Sequence, residues 1–288
     1  MNIEELKNIT VVGSGAMGSQ IAMVCALAGY HVTLQDINHD SLEKAKNALK
    51  GHMENRIKKG RLSQDEVNAA FDRLQFETNL ETAVKETDFV IEAIIELLDE
   101  KRKLFTQLDQ LVSDHVILAT NSSTFASSRL AYATNRPEKI CNMHFFNPAL
   151  VMELVEVVQG PHTSEATAKI TVDLVERINK TPILLKKEID GFVANRILAA
   201  LTNEAISLYE KGVASIEEID LACTKALNHP IGPFALLDLT GIDISYYAGM
   251  QLYQKTQNEA DKPAKTIIDK FEKGELGRKT GKGFYVYS

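Results

Sequence analysis

Val11-Val12-Gly13-Ser14-Gly15-Ala16-Met17-Gly18 is the stretch on which the reading of the fold turns. An apolar, β-branched run, Ile9 to Val12, leads straight into three glycines. Ser19 to Ala28 reads as a helix that stops at Gly29, and His31-Val32-Thr33-Leu34 reads as a second strand with Asp36 just past its end. Strand, glycine turn, helix, strand and acid in that order form a dinucleotide-binding fingerprint in its full context. Gly13 permits the tight turn, Gly15 lets a pyrophosphate approach the backbone, and Gly18 lets the helix lie close to the sheet. Gly13, Ser14, Gly15, Ala16, Met17 and Gly18 are therefore the expected cofactor contacts, with the N–H groups of the helix N-terminus facing the phosphates. Asp36 is placed to accept hydrogen bonds from an adenosine ribose. A carboxylate there repels a 2′-phosphate, so NAD is favoured over NADP. The plain alternative is an ordinary glycine-rich turn with Asp36 a solvated charge.

The bulk composition narrows the class. With 288 residues, 44% hydrophobic and 25% charged, the chain has ordinary globular make-up and enough length to bury a sizeable core in one large or two modest domains. The net charge is −7 and no Lys/Arg-rich block or basic tail occurs, which argues against nucleic acid as a partner. The three cysteines, Cys25, Cys141 and Cys223, are far apart and set in apolar surroundings, which fits reduced thiols in a cytoplasmic protein. No Cys/His cluster has metal-ligand spacing, and no metal is expected. Met1-Asn2-Ile3-Glu4-Glu5 lacks the apolar core of a signal peptide, and no apolar run approaches membrane-spanning length. A soluble, cytoplasmic protein without a membrane partner is the expectation.

Beyond Asp36, apolar residues Leu42, Ala45, Leu49, Met53 and Ile57 recur at helical spacing up to Gly60, and Ser63-Gln64-Asp65-Glu66 resembles a capping box. This segment carries a basic cluster, Arg56, Lys58, Lys59 and Arg61, which reads either as a solvated helix face or as a phosphate contact. Strands are expected at 74–78, 88–95, 116–119, 139–144, 154–158 and 183–186, with helices at 96–112 and 166–178 between them. Strands alternating with helices predict an α/β fold: a Rossmann-like, doubly wound, mostly parallel sheet. Polar residues just past strand C-termini are where such sheets bind ligands, which places Ser123 and His144 on the same edge as Gly15. From Gly191 the pattern is helical throughout, with helices expected at 192–209, 215–226, 234–253 and 262–271. The domain reading is therefore 1–188 for a nucleotide-binding domain and 189–288 for an all-helical domain. No internal repeat or low-complexity tract is present.

The chemistry concentrates in Met143-His144-Phe145-Phe146-Asn147-Pro148 and Met152-Glu153-Leu154-Val155-Glu156-Val157-Val158. His144 by itself is as readily a core histidine, and Glu156 by itself a solvated strand charge. Their places after consecutive strands of one sheet allow them to meet. A carboxylate on an imidazole fixes its tautomer and stabilises the imidazolium. Oxidation of a hydroxyl to a ketone needs such a base, because hydride loss and proton loss must be coupled.

These blocks resemble the signature of the 3-hydroxyacyl-CoA dehydrogenase family, including its short-chain 3-hydroxybutyryl-CoA members. The likeness extends over the whole chain: the glycine turn, Ile91-Glu92-Ala93-Ile94, Thr120-Asn121-Ser122-Ser123, His144 to Pro148, Leu154 to Val157 and Asp190 to Arg196. It continues through Gly232-Pro233-Phe234 to Gly241 and Lys279-Thr280-Gly281-Lys282-Gly283-Phe284-Tyr285. The resemblance implies an NAD-dependent oxidoreductase acting at C3 of a short-chain (S)-3-hydroxyacyl-CoA or 3-ketoacyl-CoA. It implies His144 as catalytic base and Glu156 as its orienting partner. Ser123 falls near the nicotinamide and the substrate oxygen, and Asn195 helps hold that oxygen. It further implies Asp36 as the ribose acid, Glu96, Lys101 and Lys279 as NAD contacts, and Lys59 as a contact to the CoA phosphates. The chain departs from the pattern at His52, where the family often has a CoA-contacting serine. Without the resemblance, Asn195 reads as a polar residue at a helix start and Ser123 as a turn hydroxyl. A homodimer joined through the C-terminal helices, with a place in fatty acid or butyrate metabolism, also follows from the resemblance. Two other readings remain: a dehydrogenase of free β-hydroxyacids, which more often relies on a lysine base, and a non-enzymatic, crystallin-like relative.

Overall fold

The glycine turn stands where the first strand of a sheet gives way to its first helix. The computed structural model describes residues 2–287. Its contacts divide the chain into two units, residues 1–192 and 193–288. That division falls just past the sequence-based boundary at 188/189, because Phe192 still packs on Val158 and Leu185 of the first unit.

In the first unit, β1 (Asn8–Val12), α1 (Ala16–Leu27), β2 (His31–Gln35), α2 (His39–Lys58), α3 (Gln64–Asp72), β3 (Leu74–Glu77), α4 (Leu80–Val84) and β4 (Phe89–Glu92) follow one another. Then come α5 (Leu98–Leu111), β5 (Ile117–Thr120), α6 (Ser128–Ala131), β6 (Ile140–Phe145), β7 (Leu154–Val158), α7 (Glu165–Arg177) and β8 (Thr181–Leu185). The eight strands form one sheet in the order β3-β2-β1-β4-β5-β6-β7-β8. Every neighbouring pair is parallel except β6 and β7. A short return suffices for an antiparallel pair, whereas parallel neighbours need a crossover. The mostly parallel, doubly wound sheet expected from the sequence is thus present.

Phe89, Val90, Ile91 and Ile117, Leu118, Ala119 are all fully buried, as strands covered on both faces must be. One apolar cluster gathers α1, α2 and α7 on the sheet, and a second gathers α5 and α6 with Val12, Val90 and Leu118. The residues on α2 that recur at helical spacing, Leu42, Ala45, Leu49 and Met53, are the buried ones. The Ser63 capping box forms as the sequence predicts, with the Ser63 hydroxyl accepting the Glu66 amide at 3.2 Å and the Glu66 carboxylate accepting the Ser63 amide at 2.7 Å.

The second unit is helical: α8 (Ala194–Glu210), α9 (Ile216–Lys225), α10 (Pro233–Thr240), α11 (Ile242–Thr256) and α12 (Lys265–Glu272). Its core is Ala205, Ile206, Ile219, Phe234, Leu237, Ile242 and Ile267. One expectation is corrected here. The single helix over 234–253 is two, broken at Gly241, whose φ of +107° no helix admits. Among the described residues no helix is long and apolar enough to cross a membrane.

Candidate active site

Antiparallel pairing of β6 and β7 sets His144 directly opposite Glu156. The imidazole Nδ1 lies 2.9 Å from Glu156 Oε2, with His144 4% exposed and Glu156 fully buried. A carboxylate at Nδ1 requires that nitrogen to carry the proton, which leaves Nε2 as the atom that can take one up. Among the described residues every fully buried side-chain polar atom has a partner, so Nε2, which makes no hydrogen bond with any of them, opens to solvent. Phe146 and Phe192 pack on the ring at centroid distances of 4.6 and 5.4 Å and confine its rotation.

The turn after β5 is fastened to the same strand. Asn121 Oδ1 accepts the Phe145 amide at 2.9 Å. Asn142, two residues before His144 and on the same face of β6, accepts the Ser127 amide at 2.7 Å and donates to the carbonyls of Phe125 and Ser122. Ser123 sits in the turn so held, is exposed, and its hydroxyl has no hydrogen-bond partner among the described residues. Sequence reasoning passed over Asn142. The signal was a buried amide in an otherwise apolar strand, in phase with His144.

Along the same carboxyl edge, after β4, Lys101 is fully buried between two carboxylates, 2.6 Å from Glu92 and 3.0 Å from Glu96. Glu92 also accepts the Thr120 hydroxyl at 2.6 Å and the Ile94 amide at 2.7 Å. Glu96 accepts the Ser122 hydroxyl and the Thr124 amide. Removing one member of such a buried ionic group costs about 3–5 kcal/mol. Lys101 is enclosed in this way, whereas its partner Glu96 is partly exposed. Asn195, in the first turn of α8, and Lys279, ion-paired to Asp243, belong to the second unit.

The glycine turn has the shape a dinucleotide needs. A Cβ on Gly18 would lie 1.8 Å from the Gly13 carbonyl oxygen, and one on Gly13 would lie 2.5 Å from the Ala93 oxygen, whereas a Cβ on Gly15 meets nothing within 4 Å. Two glycines are thus required by the protein's own packing, and the third borders open space in front of the α1 N-terminus. Asp36 accepts the Ser14 amide at 2.9 Å and the Ser14 hydroxyl at 2.7 Å, so the ribose candidate also braces the turn. These residues fit a nicotinamide dinucleotide: Gly15 and the N-terminal amides of α1 for the pyrophosphate, Asp36 for the ribose.

A further concavity of about 220 Å³ lies between α2 and the β6–β7 loop, lined by His52, Arg56, Lys59 and Arg61 among others. His52, Arg56 and Lys59 stand at spacings of four and three, hence on one helix face. Among the described residues no group of His, Cys, Asp and Glu comes together as a metal site.

Comparison with known proteins identifies the family. Residues 8–189 match the model of the 3-hydroxyacyl-CoA dehydrogenase NAD binding domain, and residues 191–287 match that of the C-terminal domain of the same family. The chain is 38% identical to a probable 3-hydroxybutyryl-CoA dehydrogenase of Bacillus subtilis, covering 98% of each chain. It is 36% identical to the human mitochondrial hydroxyacyl-coenzyme A dehydrogenase over 98% of this chain and 91% of that one. The crystal structure of the (S)-3-hydroxybutyryl-CoA dehydrogenase of Ralstonia eutropha superposes with a TM-score of 0.91 at 38% identity, covering 99% of this chain and all of that one. A glycine turn shaped for a dinucleotide, a buried imidazole–carboxylate pair on the same sheet, and end-to-end similarity lead to one statement: the chain belongs to the 3-hydroxyacyl-CoA dehydrogenase family.

Proposed function

We propose that the protein transfers a hydride between NAD(H) and C3 of a short-chain (S)-3-hydroxyacyl-CoA or 3-ketoacyl-CoA, with 3-hydroxybutyryl-CoA and acetoacetyl-CoA as the pair. The observation that carries this reading is the His144–Glu156 pair, held at 2.9 Å by strand register in the sheet that bears the glycine turn. Bound NAD supplies the hydride acceptor in the oxidative direction, and NADH the donor in the reductive one. In oxidation, His144 Nε2 takes the proton of the C3 hydroxyl as the C3–H bond breaks and the carbonyl forms. In reduction it returns that proton to the ketone oxygen. Glu156 holds the imidazole in the accepting tautomer and stabilises the imidazolium that forms. Ser123 donates its free hydroxyl to the substrate oxygen, where charge develops. Lys59 and His52 take the phosphate end of CoA. For Asn195 and Lys279 the roles are those implied by the family resemblance.

The acyl-CoA relatives support a place in fatty acid or butyrate metabolism, and buried free thiols support a reducing, cytoplasmic setting. Apolar side chains left exposed on the second unit, among them Ile197, Leu221, Leu239, Ile244 and Tyr247, support a homodimer through the C-terminal helices.

The test is NADH consumption with acetoacetyl-CoA. Wild-type protein oxidises NADH; His144→Gln lowers kcat ~10²–10⁴-fold while NADH still binds, as loss of a general base dictates. Near-normal turnover in the folded variant removes His144 from the base role. Equal activity on free acetoacetate and on its CoA ester would favour the free-acid reading instead.

A further inference from the structure

The loop that joins the two strands of the dyad is fastened from outside. Residues 146–153 leave β6 after Phe145 and return as β7, which carries Glu156. Side chains from three other elements hold its backbone. Gln20 of α1 accepts the Leu150 amide at 3.2 Å, Arg56 of α2 donates to the Leu150 carbonyl, and Lys180, just ahead of β8, donates to the Met152 carbonyl at 2.8 Å. Leu150 thus has both its backbone polar groups engaged by side chains of the two helices that follow β1 and β2.

Arg56 also faces the concavity of about 220 Å³ that it shares with His52, Lys59 and Arg61, and no Asp or Glu lines that space. Its guanidinium is part-buried, and burial together with the nearby Arg61 charge holds its pKa below the ordinary arginine value. A neutral carbonyl cannot balance that crowding of like charge; an anion in the concavity can.

We propose that Arg56 is a positioning residue that couples occupation of this concavity by the phosphates of an acyl-CoA to the order of the His144–Glu156 pair. The proposal rests on the acyl-CoA reading above. With a phosphate on one side and the Leu150 carbonyl on the other, the guanidinium has one seat, and the loop between the dyad strands has one conformation. Binding energy from the non-reacting end of the substrate is thereby converted into alignment at the reacting groups.

The experiment compares acetoacetyl-CoA with acetoacetyl-pantetheine, which has the thioester without the nucleotide, and adds adenosine 3′,5′-bisphosphate as a separate probe. In wild-type protein the bisphosphate raises kcat on acetoacetyl-pantetheine ~3–10-fold, the effect of restored alignment. Arg56→Met loses the activation; Arg56→Lys, which keeps the charge without the fork, retains part of it. Amide hydrogen exchange over 146–156 reads the same coupling without turnover: the bisphosphate slows it several-fold in the wild type and leaves Arg56→Met unchanged. Inhibition in place of activation, or equal protection of the loop in Arg56→Met, overturns the proposal and leaves Arg56 a simple phosphate contact. Failure of the wild type to reduce acetoacetyl-CoA sinks the functional reading instead, and the exchange measurement still decides this one.

Discussion

Gly15 and Gly18 stand three positions apart and answer to different demands. Gly18 is required by packing, since a Cβ there would sit 1.8 Å from the Gly13 oxygen. Gly15 has ordinary extended dihedrals, φ −61° and ψ −176°, and open space around it, so only a ligand needs it bare. Gly15→Ala is therefore expected to melt within a degree or so of wild type and to weaken NADH binding ~10-fold or more, because the methyl occupies the space a pyrophosphate needs. Gly18→Ala is expected to lose about 1–3 kcal/mol from overpacking alone. Thermal denaturation with and without NADH separates the two, and a Gly15→Ala protein that unfolds early without cofactor would contradict the assignment. Lys101 teaches the complementary lesson. Its charge is legible in the sequence; that two carboxylates enclose it is not, because those partners come from opposite ends of a loop.

Among the elements, those written in adjacent residues were readable. The Ser63 and Ser215 caps both form full capping boxes, since a hydroxyl and a carboxylate three residues apart need only one helical turn to meet. The short helices α4 and α6 escaped notice because so few residues carry no period. The α10–α11 break escaped it because Gly241 lies in a run that is apolar on both sides. The tail Lys279 to Tyr285 has its reason in Asp238, fully buried, which accepts the amides of Phe284 and Tyr285 at 2.8 Å and the Tyr287 hydroxyl at 2.9 Å. Asp238→Ala leaves three donors unanswered. It is expected to cost about 1–3 kcal/mol or more and to release the tail to limited proteolysis. A variant with unchanged melting and protease resistance would show that the tail docks by its aromatic contacts alone.

Taken as a whole, the protein hides two thiols in its nucleotide-binding sheet and first helix. Burial pushes Cys25 and Cys141 each up from 9.0 to about 12. The folded state keeps these protons while the unfolded chain releases them above about pH 9. Their contribution to stability is therefore complete below pH 9 and is lost progressively as pH rises toward 12. Each thiol should remove about 1.4 kcal/mol of stability per pH unit in that window. Urea unfolding as a function of pH reads the slope, and Cys25→Ala should reduce it by one thiol's share. An identical slope in the variant would mean that other groups carry the alkaline sensitivity.

The fold class and the dinucleotide turn were legible in the chain because each rests on short-range spacing, whereas His144 taken alone reads as readily as a core histidine. A β-branched run, glycines at fixed offsets and periods of two or 3.6 constrain the backbone within a few residues. What no local pattern contains is the company those residues keep. The facing of His144 and Glu156 depends on one antiparallel pair in a parallel sheet. The seat of Arg56 on Leu150 and of Asn142 under the Ser122–Ser127 turn depends on chain segments far apart in sequence. Such contacts arise only when the whole sheet closes its core, because hydrogen-bond geometry across distant strands is set by packing and not by neighbours along the chain.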